Sequence, residues 1–356
     1  MKIVLISLGL CIILAGCMVT YFKGPRPQDP TDRPYRIEQI TFAGGKGVTL
    51  AGELTMPQFS GPFTAIILVS GSGPNDRDET ISGHRPALVL SDHLTKAGFA
   101  VLRYDDRGAG QSTGDYYTAA LSDFAEDAAG AFTWLSKHPE IDSNAIGFIG
   151  ASEGGYTAPV AAQNVPAAFL VFLAGPAIPV LPDLMSTQFA DTQRAEGVGD
   201  DVIQQARQQY EAATAILSSS DTLENKRSKL DAYLISEGQS ARQRRQTLDF
   251  WANPWGVEYA SHDPAVALRT FSGPVLALFG STDLQVSATE NAPVMERLLG
   301  HPKSEVVVFD GLNHMFQRSD TGRISEYGKI ETTIEPEVIE KIIDWIRTVS
   351  ASTEDG

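Results

Sequence analysis

Basic side chains are scarce in this 356-residue sequence, which has 28 lysines and arginines against 44 aspartates and glutamates and a net charge of −16. Proteins that bind nucleic acid need clustered basic groups to replace phosphate counterions, so the acidity argues against nucleic acid as a partner. Long apolar runs are also missing. The longest, near the amino terminus, has about 14 residues, whereas a membrane-spanning helix needs about 20.

The amino terminus has the layout of a secretory signal, with Lys2 before the apolar run and small residues after it. Its end, residues 14–17 (LAGC), resembles the signal of bacterial lipoproteins, which implies cleavage before Cys17 and lipidation of that cysteine. Residues 1–16 are therefore predicted to be a signal peptide, the alternative being an uncleaved anchor. The signal implies export across the inner membrane. The residue after the cysteine is Met18 and not aspartate, which by the same resemblance implies attachment to the outer membrane, facing the periplasm.

Cysteine occurs only as Cys11 and Cys17. Cys11 would leave with the signal and Cys17 would carry lipid, so the mature domain would have no disulfide, no thiol nucleophile and no thiolate metal site. Covalent chemistry would need another residue type. Residues 17–34, rich in proline and without hydrophobic periodicity, are predicted to be an extended tether between lipid and domain.

The rest of the chain alternates between strand and helix patterns. A hairpin pattern at 35–42 and 48–56 precedes short, solidly apolar runs, which are typical of strands buried on both faces. Helical patterns lie between these runs. The predicted fold class is therefore α/β, with a mostly parallel central sheet and helices on both faces. The six apolar runs are 65–69, 100–104, 145–149, 168–173, 275–279 and 306–309.

One stretch, residues 178–262, breaks this alternation. It has helical periodicity and no convincing strand, and it lies between the sixth and seventh predicted strands. We interpret it as a helical cap inserted into a core formed by residues 35–177 and 263–350. A separate helical domain is the alternative, but the strand pattern resumes after residue 262.

Ser152 lies in the pentapeptide 150–154 (GASEG), which matches G-x-S-x-G. The motif follows a predicted strand and opens a predicted helix, the context that presents a nucleophilic serine at the edge of a sheet. Its glycines leave room for a tight turn. Ser152 is therefore the candidate nucleophile, and it needs a base.

In folds with such a turn, the order along the chain is serine, acid, histidine. His314 follows the last predicted strand and would lie at the same sheet edge as Ser152, whereas His301 precedes that strand. Asp283 follows the seventh strand and would orient His314. Asp263 and Asp310 are the rival acids.

An oxyanion hole needs two backbone N–H groups near the nucleophile. Glu153, directly after Ser152, would supply one. The loop after the third predicted strand, 70–74 (SGSGP), would supply the other from Ser72, with Gly71 as second choice. This loop lacks the glycine patterns of phosphate-binding loops.

At this level of detail the chain resembles the bacterial serine esterases of the α/β-hydrolase superfamily that carry an H-G-S-G-P-x-D-R-D-E loop and a G-H-S-E-G-G elbow. Two positions depart from that pattern, because Ser70 and Ala151 replace its histidines, and neither belongs to the proposed triad. The matching segments are 70–79 (SGSGPNDRDE), 106–112 (DRGAGQS), 150–155 (GASEGG), 254–255 (PW), 263–264 (DP), 283–286 (DLQV) and 313–316 (NHMF).

The resemblance implies an α/β-hydrolase fold, into which the helical stretch 178–262 would be inserted as a cap. It also implies hydrolysis of short acyl esters of small molecules through an acyl-enzyme, without metal or organic cofactor. A peptidase, an acyltransferase or a thioesterase could use the same triad. A lipoprotein that keeps the fold only for binding is the alternative outside enzymes. It is disfavoured because serine, acid and histidine are all present.

Overall fold

A single mixed sheet forms the centre of the fold in the computed structural model, which describes residues 26–350. All eight predicted strands are confirmed, with bounds that differ from the predicted ones by a few residues. In the described range the strands are β1 (Arg36–Ala43), β2 (Thr49–Met56), β3 (Phe63–Val69), β4 (Ala100–Tyr104), β5 (Ile141–Ala151), β6 (Leu170–Leu173), β7 (Val275–Gly280) and β8 (Glu305–Phe309).

The helices follow the predicted alternation. No helix between residues 26 and 350 is both long and apolar enough to cross a membrane. The α-helices of this range are α1 (Pro86–Lys96), α2 (Leu121–Leu135), α3 (Gly154–Ala161), α4 (Met185–Ala195), α5 (Asp200–Leu217), α6 (Leu223–Ser236), α7 (Ala241–Trp251), α8 (Pro254–Ala260), α9 (Pro264–Thr270), α10 (Ala288–Leu298), α11 (Ile324–Tyr327) and α12 (Pro336–Ser350).

The strand order across the sheet is β1-β2-β4-β3-β5-β6-β7-β8. β2 pairs antiparallel with both β1 and β4, whereas every neighbouring pair from β4 to β8 is parallel. Parallel strands end at the same edge of a sheet, and ligands of such folds bind outside that edge. The loops after β3, β5, β7 and β8 therefore emerge together.

The central strands are covered on both faces. Every residue of β4 and β7 is buried, and so is every residue of β3 except Thr64. Because successive side chains of a strand point to opposite faces, continuous burial requires cover on both sides of the sheet. This arrangement confirms the predicted α/β class.

The described residues divide into two compact units. Ile178–Asp263, together with the short segment Tyr117–Leu121, forms one unit, and the remaining described residues form the other. Within Ile178–Asp263 the structure has helices α4 to α8, in the stretch where the sequence predicts a helical insertion at 178–262. A ring cluster that includes Trp251, Trp255 and Tyr259 packs inside this unit, where Trp251 is completely buried.

The prediction of an extended tether is wrong for residues 26–34. Arg26 is buried and donates from its guanidinium to the carbonyl oxygens of Ser82, Gly83, Gly328 and Ile330. These hydrogen bonds hold residue 26 against the sheet-containing unit, so the domain begins earlier than its hydrophobic pattern does. The predicted signal peptide, Cys17 and the first part of the predicted tether lie outside the described residues.

Candidate active site

Ser152 occupies the sharp turn between β5 and α3. Its φ is +50°, a left-handed conformation that costs a residue with a side chain about 1–3 kcal/mol. Two backbone hydrogen bonds hold the turn: the Ser152 N–H donates to the Leu173 carbonyl, and the Gly155 N–H donates to the Ser152 carbonyl, both at 2.8 Å. Such a strained strand-to-helix turn is typical of a nucleophile elbow.

Close packing around this turn explains its glycines. A Cβ atom on Gly150 would lie 2.2 Å from the Gly154 carbonyl oxygen, and one on Gly155 would lie 2.5 Å from the Gly175 Cα atom. Both distances are far inside van der Waals contact with backbone that cannot swing away. The small residues of the motif are therefore a steric requirement of the turn that carries Ser152.

His314 and Asp283 are brought together at the same sheet edge. Asp283 follows β7 and His314 follows β8, and the Nδ1 atom of His314 lies 2.8 Å from Oδ2 of Asp283. The other carboxylate oxygen, Oδ1, accepts the N–H groups of Gln285 and Val286 at 2.7 and 3.0 Å. The Asp283 side chain is fully buried and that of His314 is 11% exposed. A carboxylate bound to Nδ1 leaves Nε2 as the ring nitrogen that can take a proton.

The rival residues have other partners. Asp310 is exposed and accepts the hydroxyl of Ser281 at 3.1 Å. His301 accepts the N–H of Lys303 at 3.1 Å. The acid that contacts His314 is therefore Asp283, as its place after the seventh strand predicts.

The charge environment of His314 favours the protonated ring. Burial alone would lower the pKa of this imidazole, but the carboxylates of Asp283 and Glu79 and the hydrogen bond to Asp283 outweigh it. The pKa of His314 is consequently raised above the 6.5 of an ordinary histidine. An imidazolium formed during a reaction would be stabilised in this site.

The loop after β3 lies against the elbow. A Cβ atom on Gly71 would be 3.4 Å from the Cβ atom of Ser152. The Gly71 N–H donates to Oε1 of Glu79, and the Gly73 N–H donates to the hydroxyl of Tyr116, both at 2.8 Å. Among the described residues, the N–H of Ser72 between them has no hydrogen-bond acceptor. Of the two oxyanion candidates in this loop, the Ser72 amide is thus the one left open.

Glu153 is the first residue after the nucleophile and the N-cap of α3. Its side chain is buried and lines a small cavity together with Asp106 and the loop after β3.

In residues 26–350 no group of three or more histidine, cysteine, aspartate or glutamate side chains is arranged to hold a metal ion.

The charged segment that follows this loop, residues 76–79 (DRDE), forms ion pairs with β4 and with the residue after it. Arg77 forms an ion pair with Asp105 at 2.7 Å, and Asp78 pairs with Arg103 of β4. β4 lies next to β3 in the sheet, so Arg103 of β4 and Asp105 directly after it come close to the segment that follows β3.

Two carboxyl groups near the elbow are not among the site residues that the sequence predicts. Burial raises the pKa of Glu79 to about 7 and that of Asp106 to about 8. Asp106 accepts the hydroxyl of Ser70 at 2.7 Å and the N–H of Asn75 at 3.0 Å. Ser70, which replaces the histidine of the resembled motif, therefore still anchors the loop. The density of acidic residues in 76–79 was the only sequence signal.

Comparison with known proteins identifies the family of the chain. A family profile described as serine aminopeptidase, S33, matches residues 87–320, which is more than half of the chain and includes Ser152, Asp283 and His314. The chain belongs to this family of α/β-hydrolases. The curated relatives of this hydrolase include esterase EstD of Thermotoga maritima, which is 28% identical over 329 residues, covering 92% of this chain and 71% of the relative.

Solved structures share the fold of this α/β-hydrolase. Protein PA2218 of Pseudomonas aeruginosa has a TM-score of 0.55 at 15% identity, with 90% of this chain and 96% of that chain covered. The Pyrococcus furiosus esterase Pf2001 has a TM-score of 0.54 at 16% identity, with 90% and 93% covered. At these identities the likeness concerns the fold alone.

Proposed function

We propose that the protein is a serine esterase that hydrolyses short-chain carboxylic esters of small molecules through an acyl-enzyme. The observation that carries the proposal is the hydrogen bond of 2.8 Å between His314 and Asp283 at the sheet edge that also carries the strained Ser152. The name of the relative EstD supports ester substrates. Support for short acyl groups comes from the resemblance of loop 70–79 and elbow 150–155 to the bacterial serine esterases.

In this proposal Ser152 Oγ attacks the ester carbonyl carbon while its proton passes to Nε2 of His314. Asp283 holds the ring and stabilises the imidazolium. Collapse of the tetrahedral intermediate breaks the bond to the alcohol, which leaves with the proton from Nε2. A water molecule then attacks the acyl-enzyme, gives its proton to His314, and the acid is released as Ser152 regains its hydrogen.

The oxyanion of both intermediates is assigned to the N–H groups of Ser72 and Glu153. The occupied amides on either side of Ser72 support its role, because among residues 26–350 no hydrogen-bond acceptor contacts the Ser72 N–H. Glu153 is supported by its place directly after the nucleophile, where the amide points at the reacting carbonyl in nucleophile elbows. Each such donor contributes about 3–4 kcal/mol to transition-state stabilisation in related chemistry.

The alternative enzymatic functions would use the same triad, whereas a binding protein would use none of its chemistry. The family description favours a peptidase as the second candidate. An amide asks more of the base than an ester, because its poor leaving amine must be protonated by His314 as the bond breaks. Acyl transfer or thioester hydrolysis would follow if an acceptor other than water, or a thioester, reacted faster. A purely binding lipoprotein would leave Ser152 unreactive.

A panel of substrates separates these functions. We expect a higher kcat/KM for 4-nitrophenyl acetate and butyrate than for the octanoate, poor cleavage of prolyl anilides, and a loss of at least about 10⁴-fold in kcat in Ser152→Ala. A kcat/KM that climbs steadily to the palmitate would overturn the short-chain preference. Efficient anilide cleavage would favour the peptidase.

We also propose that the protein is a lipoprotein, exported by residues 1–16 and anchored in the outer membrane through Cys17. The support is the sequence LAGC at residues 14–17. Metabolic labelling with a clickable fatty acid should mark the wild type and the matched control Cys11→Ser but not Cys17→Ser. Label that persists in Cys17→Ser would refute the anchor.

A further inference from the structure

Glu79 contacts the loop 70–74, which carries the Ser72 amide and is called the oxyanion loop below, and its charge also acts on His314. It ends the charged segment in a left-handed conformation, with φ of +56°, and its N–H donates to the Asp76 carbonyl at 2.9 Å. This bend turns its half-buried side chain back toward the start of the loop, where Oε1 accepts the Gly71 N–H at 2.8 Å. The side chain thus closes a ring that spans the nine residues from Gly71 to Glu79.

This hydrogen bond acts at the point where the loop meets the nucleophile. A Cβ atom on Gly71 would be 3.3 Å from Oε1 of Glu79 and 3.4 Å from both the Ala151 carbonyl oxygen and the Ser152 Cβ atom. Gly71 is therefore held between the carboxyl group and the elbow. Because the chain direction at Gly71 determines where the next amide points, a group that holds Gly71 in place also restricts the orientation of the Ser72 N–H.

The charged groups that face Glu79 come from three elements. They are His314 from the loop after β8, Asp76 from its own segment and Asp106 from the loop after β4. Burial raises the pKa of Glu79 to about 7, against the opposing effects of the Gly71 N–H and His314. In return the charge of Glu79 raises the pKa of His314, in addition to the larger effect of Asp283. Glu79 and His314 are therefore coupled in their titration, because the charge of each changes the pKa of the other.

We propose that Glu79 is a positioning residue of this site, which fixes the oxyanion loop through Gly71 and, when ionised, places a second negative charge beside His314. The inference rests on the proposed ester hydrolysis for its catalytic consequence. When Ser152 gives its proton to His314, the ionised Glu79 stabilises the imidazolium together with Asp283. No new bond or proton transfer is assigned to Glu79 itself.

The role of Glu79 is tested by the substitution Glu79→Gln, which keeps an oxygen acceptor for the Gly71 N–H but removes the charge. We expect kcat/KM at its pH plateau to fall about 3- to 10-fold, the difference between a charge-assisted and a neutral hydrogen bond. The acid limb of the kcat/KM profile should move to lower pH, because His314 loses a negative neighbour. The matched control is Asp76→Asn, which removes a charge from the same segment and should leave the plateau unchanged.

A direct titration of the His314 ring by NMR makes the test independent of turnover. The pKa of His314 should be lower in Glu79→Gln than in the wild type, and the resonance is assigned by its loss in His314→Gln. An unchanged titration, or an equal shift in Asp76→Asn, would overturn the inference. If the wild type failed to hydrolyse esters, the proposed function would fall, while the titration would still decide whether Glu79 acts on His314.

A second pair of variants covers the case in which glutamine disturbs the turn. Aspartate and asparagine both tolerate left-handed φ better than most residues, so Glu79→Asp and Glu79→Asn should fold alike and differ in charge alone. We expect the acid limb of Glu79→Asp to lie at higher pH than that of Glu79→Asn. Coincident limbs would show that the charge at residue 79 does not reach His314.

Discussion

Replacing Asp283 by asparagine would reverse one hydrogen bond of the candidate site. In the wild type Oδ1 accepts the N–H groups of Gln285 and Val286, and Oδ2 lies 2.8 Å from Nδ1 of His314. Only the oxygen of an asparagine amide can accept the two N–H groups, so its NH₂ group must face His314. Because that NH₂ group only donates, Nδ1 would have to become an acceptor and the ring proton would move to Nε2.

An imidazole protonated on Nε2 cannot take the proton of Ser152. We therefore expect Asp283→Asn to lower kcat by about 10⁴-fold, equivalent to about 5 kcal/mol of transition-state stabilisation. The fold should persist, because asparagine has almost the same shape and keeps both backbone contacts of Oδ1. Thermal melts would establish this before kinetics are compared.

The assay is the steady-state hydrolysis of 4-nitrophenyl butyrate by Asp283→Asn and by the matched control Asp310→Asn. Asp310 is the exposed rival acid, so its variant should keep wild-type activity. A folded Asp283→Asn that retained more than a tenth of the wild-type kcat would refute the tautomer argument. A large loss in Asp310→Asn alone would transfer the acid role to that residue.

Three further predictions concern pH and packing. Since only neutral His314 can accept a proton, kcat/KM should rise with pH through an apparent pKa above 6.5, and a limb below about 6 would contradict the raised pKa. Burial raises the pKa of Asp106 to about 8, so native protein holds a proton that unfolded protein releases, and this group lowers stability as pH rises from about 4 to 8. The Tm of Asp106→Asn minus the Tm of the wild type should therefore increase as the pH rises from 5 to 8. A difference in Tm that does not change with pH would contradict this prediction. Gly155→Ala should lower stability by about 2 kcal/mol or more in chemical denaturation, whereas Gly300→Ala, with open space around it, should not; equal effects would refute the steric argument.

Local pattern is enough to predict the sheet and to propose all three members of the triad. Buried parallel strands need continuous apolar residues, so β3, β4 and β7 were visible as short runs between polar loops. The sequence predicts Asp283 and His314 because chain order and strand ends restrict which residues can reach the sheet edge. Their hydrogen bond agrees with that reasoning.

Features that depend on partners distant in sequence were not predictable. Arg26 bonds to carbonyl groups about 300 residues away, so nothing in the proline-rich segment around it indicated that it is docked. The raised pKa values of Glu79 and Asp106 come from burial, which a charged motif does not reveal. The Ser72 amide stands out only because the amides of the two residues beside it donate to the side chains of Glu79 and Tyr116, which the sequence does not reveal.

The central claim is that Ser152 is the nucleophile, and a fluorophosphonate probe tests it most directly because it forms a stable adduct with an activated serine. Peptide mapping by mass spectrometry should locate one adduct per chain on Ser152, formed in proportion to the loss of esterase activity. Ser152→Ala should remain unlabelled while melting like the wild type. An adduct on another residue, or labelling of Ser152→Ala at the wild-type rate, would contradict the account.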